Sequence, residues 1–422
     1  MDTTSKGNRL HIALMGRTNV GKSSLLNLML GQDIAITSPV AGTTTDVVEK
    51  AMELLPLGPV LFLDTAGLDD VSELSGARLK KTSKVFDRAD VIILVTEPDT
   101  WTDFEESVLT ESQNHKIPLL MVINKIDLHK PSPDHLKFLQ SKSGLILTVS
   151  CNDETKRQNY LETLKQQLLE VAPADFIGTP SLIGDLLPPG GLAVLVVPID
   201  LQAPKGRLIL PQVQTIRDAL DNDATTLVVK ERELSAALAN LKNPPAIVVT
   251  DSQAILKVTA DVPKDIPVTT FSILFARQKA DLDIMARGAA AIDSLQPGDQ
   301  VLIAEACSHH PLEDDIGRVK IPRWLRQYVG GDLQIDISSG RDYPDDLKKY
   351  KLIFHCGACM MNRKEMLNRL RKAHEAGVPV TNYGVAISFL QGVIKRSLAP
   401  FPSALYAFEK EMENKKRGKI ND

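Results

Sequence analysis

Two short stretches carry residue types that do chemistry. Residues 16–24 read GRTNVGKSS, and residues 354–362 read FHCGACMMN, in a chain with only four cysteines. The first is the pattern G-x-x-x-x-G-K-S between an apolar run, LHIALM, and a stretch at helical spacing, LLNLMLG. Glycines at 16 and 21 let the backbone curl so that its N–H groups face an anion, and a helix N-terminus adds positive potential. Lys22 then reaches the β and γ phosphates, and the Ser23 hydroxyl is set to bind Mg2+. Gly16, Asn19, Val20, Gly21, Lys22, Ser23 and Ser24 form the phosphate cradle. The second stretch pairs Cys356 and Cys359 in a C-x-x-C turn behind His355. Farther upstream, CSHH supplies Cys307, Ser308, His309 and His310.

Three further motifs follow the phosphate loop in order. VLFLDTAG (60–67) is an apolar strand that delivers Asp64 to Mg2+ through water and the Gly67 backbone N–H to a γ-phosphate. LLMVINKIDL (119–128) ends in N-K-x-D, with Asn124, Lys125 and Asp127 placed for a guanine base. The Asp127 carboxylate accepts from the guanine N1–H and exocyclic amine, a donor pair that adenine lacks, so a site built this way leaves polar groups unpaired with ATP. ILTVSCN (146–152) brings Ser150 and Cys151 to the base-contacting loop. Four motifs in this order specify GTP.

Three cysteines in a constellation, Cys307, Cys356 and Cys359, suit zinc or an iron–sulfur cluster. Zinc would take a fourth protein ligand from His309, His310 or His355, whereas a 4Fe-4S cluster tolerates three thiolates and one open iron. Spacing alone leaves both open. Cys151 reads as a small, semi-buried residue at a strand end.

The elements that position these residues alternate strand and helix along the chain, which predicts an α/β protein. We expect three domains. A P-loop GTPase domain spans 1–173, and two smaller α/β domains with mostly parallel sheets span 174–265 and 266–422. The Pro/Gly-rich IGTPSLIGDLLPPGG (177–191) marks the first junction. The middle domain has no chemical motif and is expected to serve assembly. In a parallel sheet, ligands bind beyond the carboxyl ends of the strands. Cys307 and Cys356 each follow a strand, so they share one rim, with the helix starting near Asn362 aiming its N-terminus at it. The net charge of −4 and pI of 6.1 argue against a dedicated nucleic-acid binder. The absence of a long apolar run and of a signal-peptide pattern points to a cytoplasmic location, where thiols stay reduced and clustered cysteines bind metal.

Residues 8–172 resemble the TrmE/Era-like GTPases. The resemblance implies that AGTTTDVV (41–48) is a switch segment with Thr44 on Mg2+, and that Asn19 coordinates K+ beside the phosphates. With Lys22, Asp64 and Gly67, Thr44 completes the catalytic set. Leu68 stands where Ras-like enzymes carry the water-orienting glutamine, so hydrolysis is expected to be slow and potassium-stimulated. Ser150-Cys151 departs from that family's Ser-Ala.

Cys307-x-His309, followed by His355-Cys356-x-x-Cys359, behind such a domain resembles the HydF family, maturation GTPases of FeFe-hydrogenase. This implies a dimerisation domain in the middle of the chain. It also implies a 4Fe-4S cluster on Cys307, Cys356 and Cys359, with His309 and His355 as candidates for its fourth ligand or for its surroundings. The implied role is a homodimeric or larger scaffold, or chaperone, for a diiron precursor bearing CO, cyanide and a dithiolate. Its implied partners are radical-SAM maturases and the apo-hydrogenase, without nucleic acid or membrane. The alternative is a tRNA-modifying or ribosome-assembly GTPase with a structural zinc domain.

Overall fold

The computed structural model describes residues 5–29, 48–64, 84–173, 180–198, 208–306, 315–340 and 342–421. The chain forms two compact units, Met1–Thr179 and Pro180–Asp422. Among the described residues no helix is long and apolar enough to cross a membrane.

The first unit is built on strands β1 (Leu10–Met15), β2 (Val48–Leu54), β3 (Gly58–Asp64), β4 (Val91–Thr96), β5 (Leu119–Ile123) and β6 (Ile146–Thr148). Their order is β2-β3-β1-β4-β5-β6, parallel throughout except for the antiparallel β2–β3 pair. Every residue of β1 is buried. Leu10, Ile12 and Leu14 pack into one core and Ala13 and Met15 into another, so both faces of the sheet are covered and the strand reads as an unbroken apolar run. Among the described residues, helices α1 (Lys22–Met29), α2 (Asp103–Asn114), α3 (Pro133–Lys142) and α4 (Arg157–Val171) accompany this sheet. A reciprocal Thr102/Glu105 capping box fixes the start of α2.

The second unit holds two four-stranded, all-parallel sheets. The first comprises β7 (Leu192–Val196), β8 (Thr225–Val229), β9 (Ile247–Thr250) and β10 (Val268–Thr270) in the order β8-β7-β9-β10. The second comprises β11 (Gln300–Glu305), β12 (Gln334–Ser339), β13 (Leu352–His355) and β14 (Val380–Asn382) in the order β12-β11-β13-β14. Both sheets thus share one topology. Their fourth strands, β10 and β14, each run directly into a helix. In chain order the helices used below are α5 (Leu210–Asp221), α6 (Leu234–Ala239), α7 (Ile255–Asp261), α8 (Phe271–Lys279), α9 (Leu282–Ala289), α10 (Ile321–Val329), α11 (Arg363–Glu375), α12 (Tyr383–Leu390), α13 (Ile394–Leu398) and α14 (Pro402–Asn421).

The two halves of this unit interlock. Helix α9 packs on β14 and α13 on β10. At Gly288 in α9 a Cβ would lie 1.9 Å from the Val380 carbonyl oxygen, so only glycine permits that approach. The Arg396 guanidinium in α13 donates to the Val262, Pro263, Lys264 and Ile266 carbonyls ahead of β10. Between the halves, Ser272 Oγ donates to Asn382 Oδ1 (3.0 Å) and accepts from Gly384 N (3.2 Å).

Candidate functional site

In the first unit, the loop between β1 and α1 curls at Gly16 and Gly21, with Asn19 exposed at its tip at φ +66°. A Cβ on Gly21, itself at φ +96°, would fall 2.1 Å from Asn124 Nδ2. Lys22 Nζ bends back over the loop and donates to the Gly16 (2.5 Å) and Arg17 (3.0 Å) carbonyl oxygens. Ser23 and Ser24 are exposed at the helix start, and Val20 is buried. Asp64 is buried at the end of β3, in register with Leu14 of β1. The strand ends therefore bring the lysine and this carboxylate to one rim, where α/β sheets bind ligands. Thr44, Gly67 and Leu68 lie outside the described residues.

The base-reading motif lies against the same loop. Asn124, 2% exposed, donates from Nδ2 to the Val20 carbonyl (3.0 Å) and accepts at Oδ1 from Cys151 N (3.2 Å). It therefore ties the phosphate loop to the β6 loop. Ser150 Oγ donates to Asp127 Oδ1 at 2.7 Å. Burial, with the Asp127 charge adding to it, pushes the Cys151 thiol up to about 11. Cys151 packs against the core.

Sequence reasoning missed the brace behind this site. Lys125, at φ +64°, donates from Nζ to Glu97 Oε1 at 2.6 Å. Glu97 also faces Arg17 Nη2 at 3.6 Å, and Arg17 Nε donates to the buried Glu105 at 2.8 Å. Three loops are thus joined through one carboxylate at the end of β4. The arginine inside the phosphate motif was the only signal for it in the sequence.

In the second unit, β11 and β13 are parallel neighbours, with Ala304 level with His355. Cys356 N donates to the Ala304 carbonyl (3.0 Å), and Ala306 N donates to Cys356 Sγ (3.0 Å). Burial pushes the Cys356 thiol up. The Ala358 and Ala306 N–H groups and the Arg369 charge pull it the other way, and Glu305 adds to the rise. The C-x-x-C turn passes through Ala358 at φ +54°. Asn362 then caps α11 by accepting from Glu365 N (3.1 Å). The turn rests on α8: Ala358 and Met361 share a core with Phe271 and Phe275. Cys307 and His309 lie outside the described residues, and among those described no three metal-ligating side chains converge.

His355 is fully buried. Its Nδ1 lies 3.1 Å from the Cys356 carbonyl oxygen and its Nε2 lies 3.2 Å from Arg369 Nη1. Burial, then the Arg369 charge, pushes it down to about 3. Both ring nitrogens are engaged within the protein in this arrangement. The donor set suits a thiolate-held cluster: Cys356 Sγ already accepts N–H donors, as cluster sulfurs do, and a buried guanidinium stands near it.

Comparison with known families separates the two units. Residues 11–125 match the model described as a 50S ribosome-binding GTPase. Residues 182–280 match the Hydrogen maturase F dimerization domain, and residues 283–400 match the Hydrogen maturase F tetramerization domain. The chain belongs to the HydF family. The likeness to the curated relatives below is confined to a part of the chain. The tRNA modification GTPase MnmE of Dechloromonas aromatica is 32% identical over 165 residues, which is 39% of this chain and 35% of that protein. MnmE of Coxiella burnetii is 40% identical over 128 residues, 29% of this chain and 28% of that one. The chain spans about a third of the length of these relatives. Among solved structures, the G domain of the T. maritima FeoB iron transporter aligns over 39% of this chain and 98% of its own, at 22% identity and a TM-score of 0.29. Aquifex aeolicus Era aligns over 79% and 95%, at 17% identity and a TM-score of 0.30. The two HydF matches lie beyond residue 180 and the GTPase match before it.

Proposed function

We propose that this HydF chain is a GTP-hydrolysing scaffold that holds a 4Fe-4S cluster on Cys307, Cys356 and Cys359. On it a diiron precursor is carried to apo FeFe-hydrogenase, with radical-SAM maturases supplying the precursor. The observation that carries the cluster reading is the hydrogen bond from Ala306 N to Cys356 Sγ at 3.0 Å. Ala306 precedes Cys307 in the chain, and its contact with Cys356 supports this reading. Cys307, Cys356 and Cys359 would hold such a cluster, which would supply an iron open to a further ligand. The chain's own residues supply three thiolates, the backbone N–H donors and the Arg369 charge. His309 and His355 are candidates for the fourth ligand or the cluster's surroundings, and the Arg369 and Cys356 contacts of His355 favour the latter.

At the nucleotide site, water attacks the γ-phosphorus and the bond to the β–γ bridging oxygen breaks, releasing GDP and phosphate. Lys22 neutralises the charge that builds on the phosphate oxygens, aided by backbone N–H groups that include that of Gly67. Ser23, Thr44 and Asp64 would hold Mg2+, and Asn19 would hold K+. With Leu68 after D-T-A-G, no side chain there orients the water, so turnover is slow and rises with K+. Gly16, Val20, Gly21 and Ser24 shape the cradle. Asp127 would read the guanine, with Asn124, Lys125, Ser150 and Cys151 building the loops around it.

The domains at 182–280 and 283–400 support a homo-oligomer. Among the described residues β8 has a strand neighbour on one side only, and this edge, with Val228 and Val213 exposed, is the surface we assign to dimerisation. Delivery is tested by incubating precursor-loaded protein with apo-hydrogenase, in wild type and Lys22→Ala. Hydrogenase activity that arises only with the loaded chain, and more slowly or less completely with Lys22→Ala, agrees with the proposal. Equal delivery by both removes the GTPase from it, and no delivery by either removes the carrier role.

A further inference from the structure

The C-x-x-C turn does not rest on its own sheet alone. It meets α8, a helix of the segment matched by the dimerization model, whereas Cys356 and Cys359 lie in the segment matched by the tetramerization model. A Cβ on Gly357 would lie 3.7 Å from Phe275 Cβ and 3.8 Å from Ser272 Oγ, so both α8 residues stand in van der Waals reach of the turn. At the other end of α8, Arg363 Nη1 donates to the Gln278 (2.6 Å) and Ala280 (3.1 Å) carbonyl oxygens. Arg363 opens α11, just after the turn. The helix is thus fixed against the cysteine-bearing half at its start through Ser272 and at its end through Arg363.

The Ser272 hydroxyl is not needed by its own helix. Thr270 already caps α8 by accepting from Ile273 N at 3.1 Å. Ser272 Oγ instead crosses to β14, donating to Asn382 Oδ1 and accepting from Gly384 N. Glycine permits that approach, because a Cβ at 384 would lie 2.7 Å from Thr270 Oγ1 and 3.0 Å from Ser272 Cβ. Asn382 is fully buried and level with His355 across the β13–β14 pair. Its Oδ1 also accepts from Gly384 N at 2.8 Å, capping α12. A backbone N–H can only donate, so this bond fixes which end of the amide is the oxygen. The Nδ2 end then faces the Cys356 carbonyl oxygen, 3.4 Å away.

The same logic fixes a second donor to that carbonyl. The Arg369 guanidinium offers only N–H groups, so His355 Nε2 accepts from it and the ring proton sits on Nδ1, which donates to the Cys356 carbonyl at 3.1 Å. One oxygen with two lone pairs thus receives two donors. The peptide is planar, so holding this oxygen holds the whole link from Cys356 to Gly357, the first step of the turn from one cysteine to the other.

We propose that Ser272 is a positioning residue of the cluster site: through Asn382 it holds the Cys356 carbonyl and so sets the path of the C-x-x-C turn. The proposal rests on the cluster reading above. It makes a residue of the dimerization-matched segment part of the cluster's setting.

The test uses the full-length chain, reconstituted anaerobically with iron and sulfide. Two quantities are read: the rate at which an iron chelator strips the cluster, and the electron paramagnetic resonance spectrum of the dithionite-reduced cluster. Ser272→Ala removes one neutral hydrogen bond from the support of the turn and is expected to speed stripping about two- to tenfold, with a shifted spectrum. Ser272→Thr keeps the hydroxyl and is expected to restore both. Asn382→Ser keeps a capping oxygen but loses the amide donor, so it is expected to resemble Ser272→Ala, and adding Ser272→Ala to it to change nothing more. A residue that only stabilised the fold would lower the melting temperature of the cluster-free chain and leave the spectrum as in wild type. Wild-type stripping and spectrum in Ser272→Ala overturn the proposal, as does an equal further change when Ser272→Ala is added to Asn382→Ser. Should Ser272→Ala fail to fold, Asn382→Ser decides by the same two readouts: faster stripping with a shifted spectrum supports the proposal, and wild-type behaviour overturns it. A wild-type chain that takes up no iron and sulfide is a separate result, which refutes the cluster reading itself and the proposal with it.

Discussion

Asn124→Ala is the sharpest probe of how the nucleotide site is assembled. Its amide is 2% exposed and serves two backbone groups, the Val20 carbonyl at 3.0 Å and the Cys151 N–H at 3.2 Å. Alanine supplies neither partner. A buried backbone group left without a partner costs about 1–3 kcal/mol. The two losses share one side chain and are not independent, so we expect about 2–4 kcal/mol for the GDP-bound chain relative to the unfolded chain. Part of this appears as lower stability without nucleotide and the rest as weaker GDP binding. If half falls on binding, GDP affinity drops roughly 5- to 30-fold. The assay is thermal or urea unfolding across a GDP titration, because ligand stabilisation reports the binding term separately. A total loss below about 0.5 kcal/mol, within the range of ordinary surface substitutions, would refute the reasoning. It would mean that Val20 and Cys151 find other partners and that Asn124 does not hold the two loops together.

Gly21→Ala places a methyl 2.1 Å from Asn124 Nδ2 at φ +96°, so it is expected to abolish measurable GDP binding in a fluorescent-nucleotide titration while the chain still melts cooperatively. Glu97→Gln removes the charge between Lys125 and Arg17, and we expect GDP dissociation to accelerate about three- to tenfold, roughly 0.7–1.4 kcal/mol, in a stopped-flow chase. An unchanged rate would mean that the brace is idle. Cys151, with its thiol pushed up to about 11, is ionised in only about one molecule per thousand at pH 8. Its alkylation should therefore rise about tenfold per pH unit from 8 to 10, and fast labelling at pH 8 would contradict the packing described.

The nucleotide site was legible because its motif encodes backbone geometry. Glycines at fixed spacing, then Lys-Ser, between a buried strand and a helix leave little freedom in where Lys22 sits. The alternation of strands and helices was legible for a similar reason: LHIALM and VIILVT are buried on both faces, so each reads as an unbroken apolar run between more polar helical stretches. The brace through Glu97 was not, since Arg17, Glu97, Glu105 and Lys125 are scattered in sequence and meet only when β1, β4 and β5 are ordered in the sheet. The common strand order of the two sheets in the second unit was hidden too, and only the strand pairing makes it visible. The cysteine spacing raised the expectation of a metal centre, but the contacts that hold His355 between Arg369 and the Cys356 carbonyl could not be read from it.

The central claim is that one cluster is held by three sulfurs. It is tested most directly by iron and acid-labile sulfide per chain after anaerobic reconstitution, in wild type and in the single variants Cys307→Ser, Cys356→Ser and Cys359→Ser. The account predicts about four irons and four sulfides per wild-type chain, the complement of one 4Fe-4S cluster, and a large loss in each variant. A Cys307→Ser chain that keeps the wild-type complement, or a wild-type chain that takes up zinc and no sulfide, contradicts it.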